Sequence, residues 1–74
     1  MKTLDLKGLK CPEPVMMVRK HFRKMNNGDR VKILATDPST QRDLPSFCRH
    51  MDHTLVDSSE QNGLFTFEIQ KGKS

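Results

Sequence analysis

Tryptophan and tyrosine are absent from this chain, and four phenylalanines are its only aromatic side chains. A surface that reads nucleic acid by stacking bases on exposed rings is therefore poorly provided for. Cysteine occurs twice, at positions 11 and 48, too few for a disulfide-stapled mini-protein. In a reducing compartment both are expected to be free thiols. No Cys-x-x-Cys pair exists, which argues against a thiol oxidoreductase. The longest unbroken apolar run is Val15-Met16-Met17-Val18, far short of the roughly 20 residues that span a bilayer. Met1-Lys2-Thr3-Leu4-Asp5 has no apolar h-region. No signal peptide is read, and a cytoplasmic protein without membrane contact is expected. Repeats, low-complexity tracts and linkers are also missing, and the few glycines form no phosphate-cradling loop.

What is present fits one small domain over residues 1–74. A chain of this length buries only roughly 60% of the surface its unfolded form exposes. A deep enclosed pocket is not expected. Chemistry should sit on the surface or be completed by a partner. The net charge is +4, and it is unevenly placed. Residues 7–24 hold Lys7, Lys10, Arg19, Lys20, Arg23 and Lys24 against the single acid Glu13. The remainder is close to neutral. The basic segment is expected to meet an acidic surface.

Alternation and helical spacing give the order βαβαββ. Thr3-Leu4-Asp5-Leu6 reads as a short strand that Gly8 ends. Val15, Val18, Phe22 and Met25 form one helical stripe within a helix over 12–25, closed by Asn26-Asn27-Gly28. Residues 30–36 alternate as a strand. Asp37-Pro38-Ser39-Thr40 is a turn, and Asp43 reads as the N-cap of a second helix over 44–52 with Pro45 in its first turn. Leu44, Phe47, Cys48 and Met51 are its apolar stripe. Strands over 53–58 and 64–70 flank Glu60-Gln61-Asn62-Gly63, whose Asn-Gly marks a hairpin. The expected fold is α+β: a two-layer sandwich with a four-stranded mixed sheet and both helices on one face.

Cys11-Pro12-Glu13-Pro14 is the motif that carries chemistry. The residue before a proline is pushed toward extended backbone, the geometry of an N-cap. Pro12 and Pro14 then fall where helical N–H groups have no partner, so they stiffen the helix start at little cost. This reading places the Cys11 sulfur, exposed, at the positive end of the helix dipole. Lys10 adds positive charge and Glu13 opposes it. A thiolate or a persulfide anion is expected to be favoured there. Met16, Met17, Lys20, Arg23 and Lys24 project away from the apolar stripe. Methionines beside basic residues suit an adaptable docking face, and Lys10, Met16, Arg19, Lys20, Arg23 and Lys24 are its candidate residues. The competing reading is a solvated face with Met17 at a core edge. Cys48 lies in an apolar stripe and reads as a core thiol. Cys48, His50 and His53 match no standard zinc spacing, so no metal and no cofactor are expected.

The run Gly8-Leu9-Lys10-Cys11-Pro12-Glu13-Pro14, followed by Val15-Met16-Met17-Val18-Arg19-Lys20, closely resembles the TusA (SirA-like) sulfur carrier family, whose hallmark is Cys-Pro-x-Pro after Gly-Leu. The resemblance continues through Asp37-Pro38-Ser39-Thr40 and Arg42-Asp43-Leu44-Pro45-Ser46-Phe47-Cys48 to the last strand. It implies a fold similar to the C-terminal domain of translation initiation factor three. It implies that Cys11 carries a persulfide taken from an IscS-type cysteine desulfurase. The sulfur would pass to a TusBCD-type complex for 2-thiolation of the wobble uridine in tRNA, which is met only indirectly. Other end uses of the sulfur stay open. A monomer is expected, with sulfur transfer and no turnover of its own. The alternative is a small RNA-binding module built on the initiation-factor-like fold.

Overall fold

The computed structural model describes residues 1–72. Its elements are β1 (Lys2–Leu6), α1 (Glu13–Phe22), β2 (Arg30–Ala35), α2 (Thr40–His50), β3 (Thr54–Gln61) and β4 (Leu64–Gln70). The strand order is β1-β2-β4-β3. β1 pairs with β2 in parallel, and the other two pairings are antiparallel. The expected mixed sheet with two helices is therefore the observed one.

Alternation places one face of each central strand inside. Val31, Ile33 and Ala35 of β2 are buried, and opposite them in register stand Ile69, Phe67 and Phe65 of β4. Val18 and Phe22 of α1 and Leu44, Phe47 and Cys48 of α2 join the same cluster, so both helices cover that face. Each fully buried large apolar side chain contributes about 1.5–3 kcal/mol. The Phe22 and Phe47 rings meet edge to face at 5.2 Å, which joins the two helices directly. On the opposite sheet face Arg30 crosses to β4, donating to Gln70 at 3.1 Å and to Glu68 at 3.2 Å. Asn62 and Gly63 both take positive φ, 53° and 83°, the two-residue hairpin geometry that Asn-Gly supplies.

The element ends differ from expectation for identifiable reasons. α1 stops at Phe22 rather than Met25. The Lys71 ammonium takes the Phe22 and Met25 carbonyls at 2.7 and 2.6 Å, and tighter turns carry the chain onward. α1 also buries Pro14, with Val15 and Met25 only partly covered, so its inner stripe is Pro14–Val18–Phe22. α2 starts four residues early, at Thr40, and Ser39 rather than Asp43 is its N-cap. Asp37 organises this start. Its carbonyl accepts from the Thr40 N–H at 3.0 Å and the Thr40 hydroxyl at 2.7 Å, and its carboxylate accepts from the Ser39 N–H at 3.1 Å. Pro45 consequently lies inside the helix, not in its first turn. β3 runs on to Gln61, so the hairpin loop is only Asn62-Gly63.

His53 leads into β3 and is packed against Phe22 at 4.7 Å and Phe47 at 5.2 Å between ring centroids. Its Nδ1 accepts from the Gly72 N–H at 2.9 Å. Burial first, then Lys71, lowers its pKa below 6.5, with Asp52 opposing. His21 is lowered in the same direction, by burial and then by Lys2 and Lys24. The unfolded chain therefore takes up protons first as pH falls. The contribution to stability is complete above about pH 6.5 and is lost as pH drops through the lower folded values. Thermal melting should show a lower midpoint at pH 5.5 than at pH 7.5. His53→Asn, whose amide oxygen can replace Nδ1, should melt lower at pH 7.5 but with a shallower pH dependence. An unchanged pH slope in that variant would remove His53 as the cause.

Candidate functional site

The parallel pairing of β1 and β2 brings their C-terminal ends together. The loop after β1 and the loop after β2 therefore become neighbours. Gly8, at φ +86°, turns the chain after β1, a conformation other side chains rarely adopt. Its N–H donates to the Thr36 hydroxyl at 2.9 Å. Three residues on, the Cys11 N–H donates to the Asp37 carboxylate. Asp37 thus ties the cysteine loop to the start of α2 with one side chain. Those hydrogen bonds, that from Cys11 foremost, lower its pKa below 3.8.

Cys11 is exposed and stands one residue before Pro12, which is the N-cap of α1 and makes no side-chain capping bond. The expectation of Cys11 as the cap itself is corrected by one position. Glu13 is the acid expected to oppose the positive helix start; the structure adds a second one. The polar partner of the sulfur is the Asp43 carboxylate, at 3.6 Å from Oδ2. The other oxygen of Asp43 accepts from the Arg42 Nε at 3.3 Å. Sequence reading placed Asp43 as a helix cap. It became a neighbour of Cys11 because α2 begins early and carries residue 43 into its first turn.

Cys11, Pro12 and Val15 face Asp43, Ser46 and His50 across a hollow of about 310 Å³ between the helices. Arg19, Phe47 and Met51 line this hollow and also a larger one of about 720 Å³. The two are therefore one groove that leads away from the sulfur. Met16, Lys20 and Arg23 extend its α1 side, with His53 and Lys71 at the far end. Of the docking candidates, Met16, Arg19, Lys20 and Arg23 share this groove, while Lys10 and Lys24 do not line it. Glu13 is exposed and Pro14 is buried under the helix start. Met16 and Met17 are 58% and 41% exposed, so both stand outside the core. Met51, expected in the core stripe, is 49% exposed and forms the groove's α2 edge.

Cys48 is different in kind. It is 3% exposed, and burial pushes its thiol up to about 11, against a smaller opposing effect of Arg49. His50 turns its Nδ1 to the Ser46 carbonyl at 2.9 Å, and His53 packs between phenyl rings. Among the described residues no three His, Cys, Asp or Glu side chains are grouped to hold a metal ion. Among the same residues no helix is long and apolar enough to cross a membrane.

The family model "Sulfurtransferase TusA" matches residues 2–71. The chain belongs to the TusA family. A curated relative, the sulfur carrier protein TusA of Pseudomonas fluorescens (strain SBW25), is 54% identical over 69 residues, covering 93% of this chain and 83% of that one. Among solved structures, a SirA-like protein from Desulfitobacterium hafniense superposes with a TM-score of 0.85 at 25% identity, over 99% of this chain and 100% of its own. In this chain the Cys-Pro-x-Pro cysteine thus stands at one end of an interhelical groove.

Proposed function

We propose that this protein carries sulfur as a persulfide on Cys11. It accepts the sulfur from a cysteine desulfurase and relays it to a TusBCD-type acceptor for 2-thiolation of wobble uridine in tRNA. Membership of the TusA family supports the reading. The observation that carries it is the contrast between the two thiols: Cys11 is exposed at the groove mouth and Cys48 is sealed in the core. In the uptake step the Cys11 sulfur attacks the outer sulfur of the donor persulfide. A new S–S bond forms on Cys11, the donor's S–S bond breaks, and the donor leaves as a thiol carrying the proton that Cys11 gave up. The step is an exchange and needs no outside oxidant. The groove is open to solvent on one side, as a relay between two protein partners requires.

The RNA-binding alternative finds no exposed phenyl ring: Phe22, Phe47, Phe65 and Phe67 are all 6% exposed or less, so none of the four offers a face to a base.

The test is intact mass after incubation with a cysteine desulfurase and cysteine. One sulfur atom should be gained, released by a thiol reductant, and mapped to the peptide holding Cys11. Sulfur mapped to Cys48 in a folded sample would overturn the assignment. Cys48→Ala should load normally and cost about 1 kcal/mol of stability, as a small core truncation does. Denaturant melts with a loading assay check both halves.

A further inference from the structure

The proton of the uptake step needs a destination, and the structure holds a group in contact with the sulfur that bears it. Cys11 Sγ lies 3.6 Å from Asp43 Oδ2, and the Asp43 side chain is only 23% exposed although Cys11 itself is open. Resting on the carrier reading of Cys11, we propose that Asp43 is the proton acceptor of sulfur uptake: it takes the Cys11 proton as the S–S bond forms and returns it to the departing thiolate of the donor.

The two oxygens of Asp43 divide the work. Oδ1 accepts from the Arg42 Nε at 3.3 Å, and Oδ2 is left facing the thiol. α2 supplies the rigidity, because residue 43 sits in a first turn whose own N–H is tied to the Ser39 carbonyl at 2.9 Å. Two negative charges at the sulfur–oxygen separation repel. The carboxylate therefore assists only if the proton moves onto it while the sulfur is forming its new bond. The leaving sulfur of the donor is generated in the same hollow, which Asp43 lines. The proton is thus conserved within the site: the Cys11 S–H bond and the donor S–S bond break, and a Cys11 S–S bond and a donor S–H bond form. Asp37 is not placed for this part: its oxygens accept from the Cys11 and Ser39 N–H groups, and the thiol's hydrogen bond goes to Asp43.

Other ionisable groups face this corner, and any pH profile must be read against them. They are Asp37 with Lys10 beside it, Glu13 and Arg19 on α1, and Arg42 and His50 on α2. None but Asp43 has a hydrogen bond to the sulfur among the described residues.

The test uses glutathione persulfide as a small donor, so that protein docking plays no part. Uptake onto Cys11 is followed by quenched intact mass from pH 5.5 to 9.5 for the wild type, Asp43→Asn and Asp43→Glu. Alkylation of Cys11 by iodoacetamide is measured over the same range; it needs the Cys11 proton removed but none returned, because iodide leaves unprotonated. Asp43→Asn should load about a hundredfold more slowly at pH 6–7, the lower end of the range general-base groups contribute. The deficit should shrink toward pH 9, where hydroxide in solution can take the proton in place of the carboxylate. Alkylation of that variant should slow at pH 6–7 as well, because the Cys11 proton must still leave, but by less than loading, and that deficit too should close toward pH 9. Asp43→Glu should recover part of the loading rate, which a merely steric role would not predict. If wild type loads and Asp43→Asn loads as fast or faster at pH 6–7, Asp43 is not the acceptor and the carrier reading stands. If both loading and alkylation slow equally at every pH, Asp43 only shapes the loop and the inference is overturned. If the wild type itself gains no sulfur from either donor, the carrier reading falls and takes this one with it.

Discussion

A Cys11→Ser protein is expected to take up no sulfur at all, from a desulfurase or from a small persulfide. Serine keeps the backbone N–H that donates to Asp37, and its hydroxyl can still face Asp43. The loop should therefore hold its shape, and melting should change by less than about 0.5 kcal/mol, as exposed substitutions usually do. What is lost is the sulfur nucleophile. An alcohol is a weak nucleophile at its free pKa, and a carboxylate alone does not activate it, whereas a thiol is partly ionised near neutrality. Cys48 cannot substitute, because it is 3% exposed and its thiol is pushed up to about 11. Loss should exceed about a thousandfold and be limited by the detection of intact mass. Residual loading of Cys11→Ser, mapped to Cys48, would mean that α2 opens on the timescale of transfer and that the core reading of that residue is incomplete.

The elements that carry strong local patterns were readable without coordinates. β2 and β4 alternate cleanly, and Val31, Ile33, Phe65, Phe67 and Ile69 all turned inward as that alternation requires. Asn62-Gly63 closed its hairpin for a local reason, two adjacent positive φ angles. Cys11 itself was legible because two prolines mark a helix start. The start of α2 was not, because Asp37 organises it through backbone and side-chain hydrogen bonds reaching two and three residues ahead. Pro45 then suggested a first turn where there is a helix interior. The error mattered for the site. Cys11 and Asp43 are 32 residues apart and meet only through the parallel pairing of β1 with β2 and the true phase of α2. No spacing rule in one sequence encodes that meeting. Met51 was misplaced for a related reason: it follows the last residue of α2, where the helical period no longer decides which side faces the core.

Reversing two charges on the groove wall should have the largest effect after removal of the sulfur site. Lys20 on α1 and Arg23 at its C-cap are exposed and line the groove that leads from Cys11. In the proposed relay they steer an acidic partner surface toward the sulfur. Lys20→Glu with Arg23→Glu replaces attraction by repulsion at both positions. Desulfurase-dependent loading should slow by about tenfold or more at low ionic strength, since steering alters association rates by roughly 10 to 10³. Screening lengths fall from about 30 Å at 0.01 M salt to about 3 Å at 1 M, so the defect should largely vanish at high salt. Loading from glutathione persulfide should be unaffected, which separates docking from chemistry. Lys71 lines the same groove, but its ammonium also holds the Phe22 and Met25 carbonyls, so replacing it should destabilise the end of α1 as well as remove a groove charge, and it is not a clean test of steering. Met16→Ala removes contact area without charge. It should speed dissociation with little dependence on salt, because apolar contacts govern the off-rate. Stopped-flow loading at two ionic strengths distinguishes these outcomes. A double reversal that loads at the wild-type rate in low salt would make the basic wall a solvated surface. The partner would then have to approach from the α2 side, over Ser46, His50 and Met51.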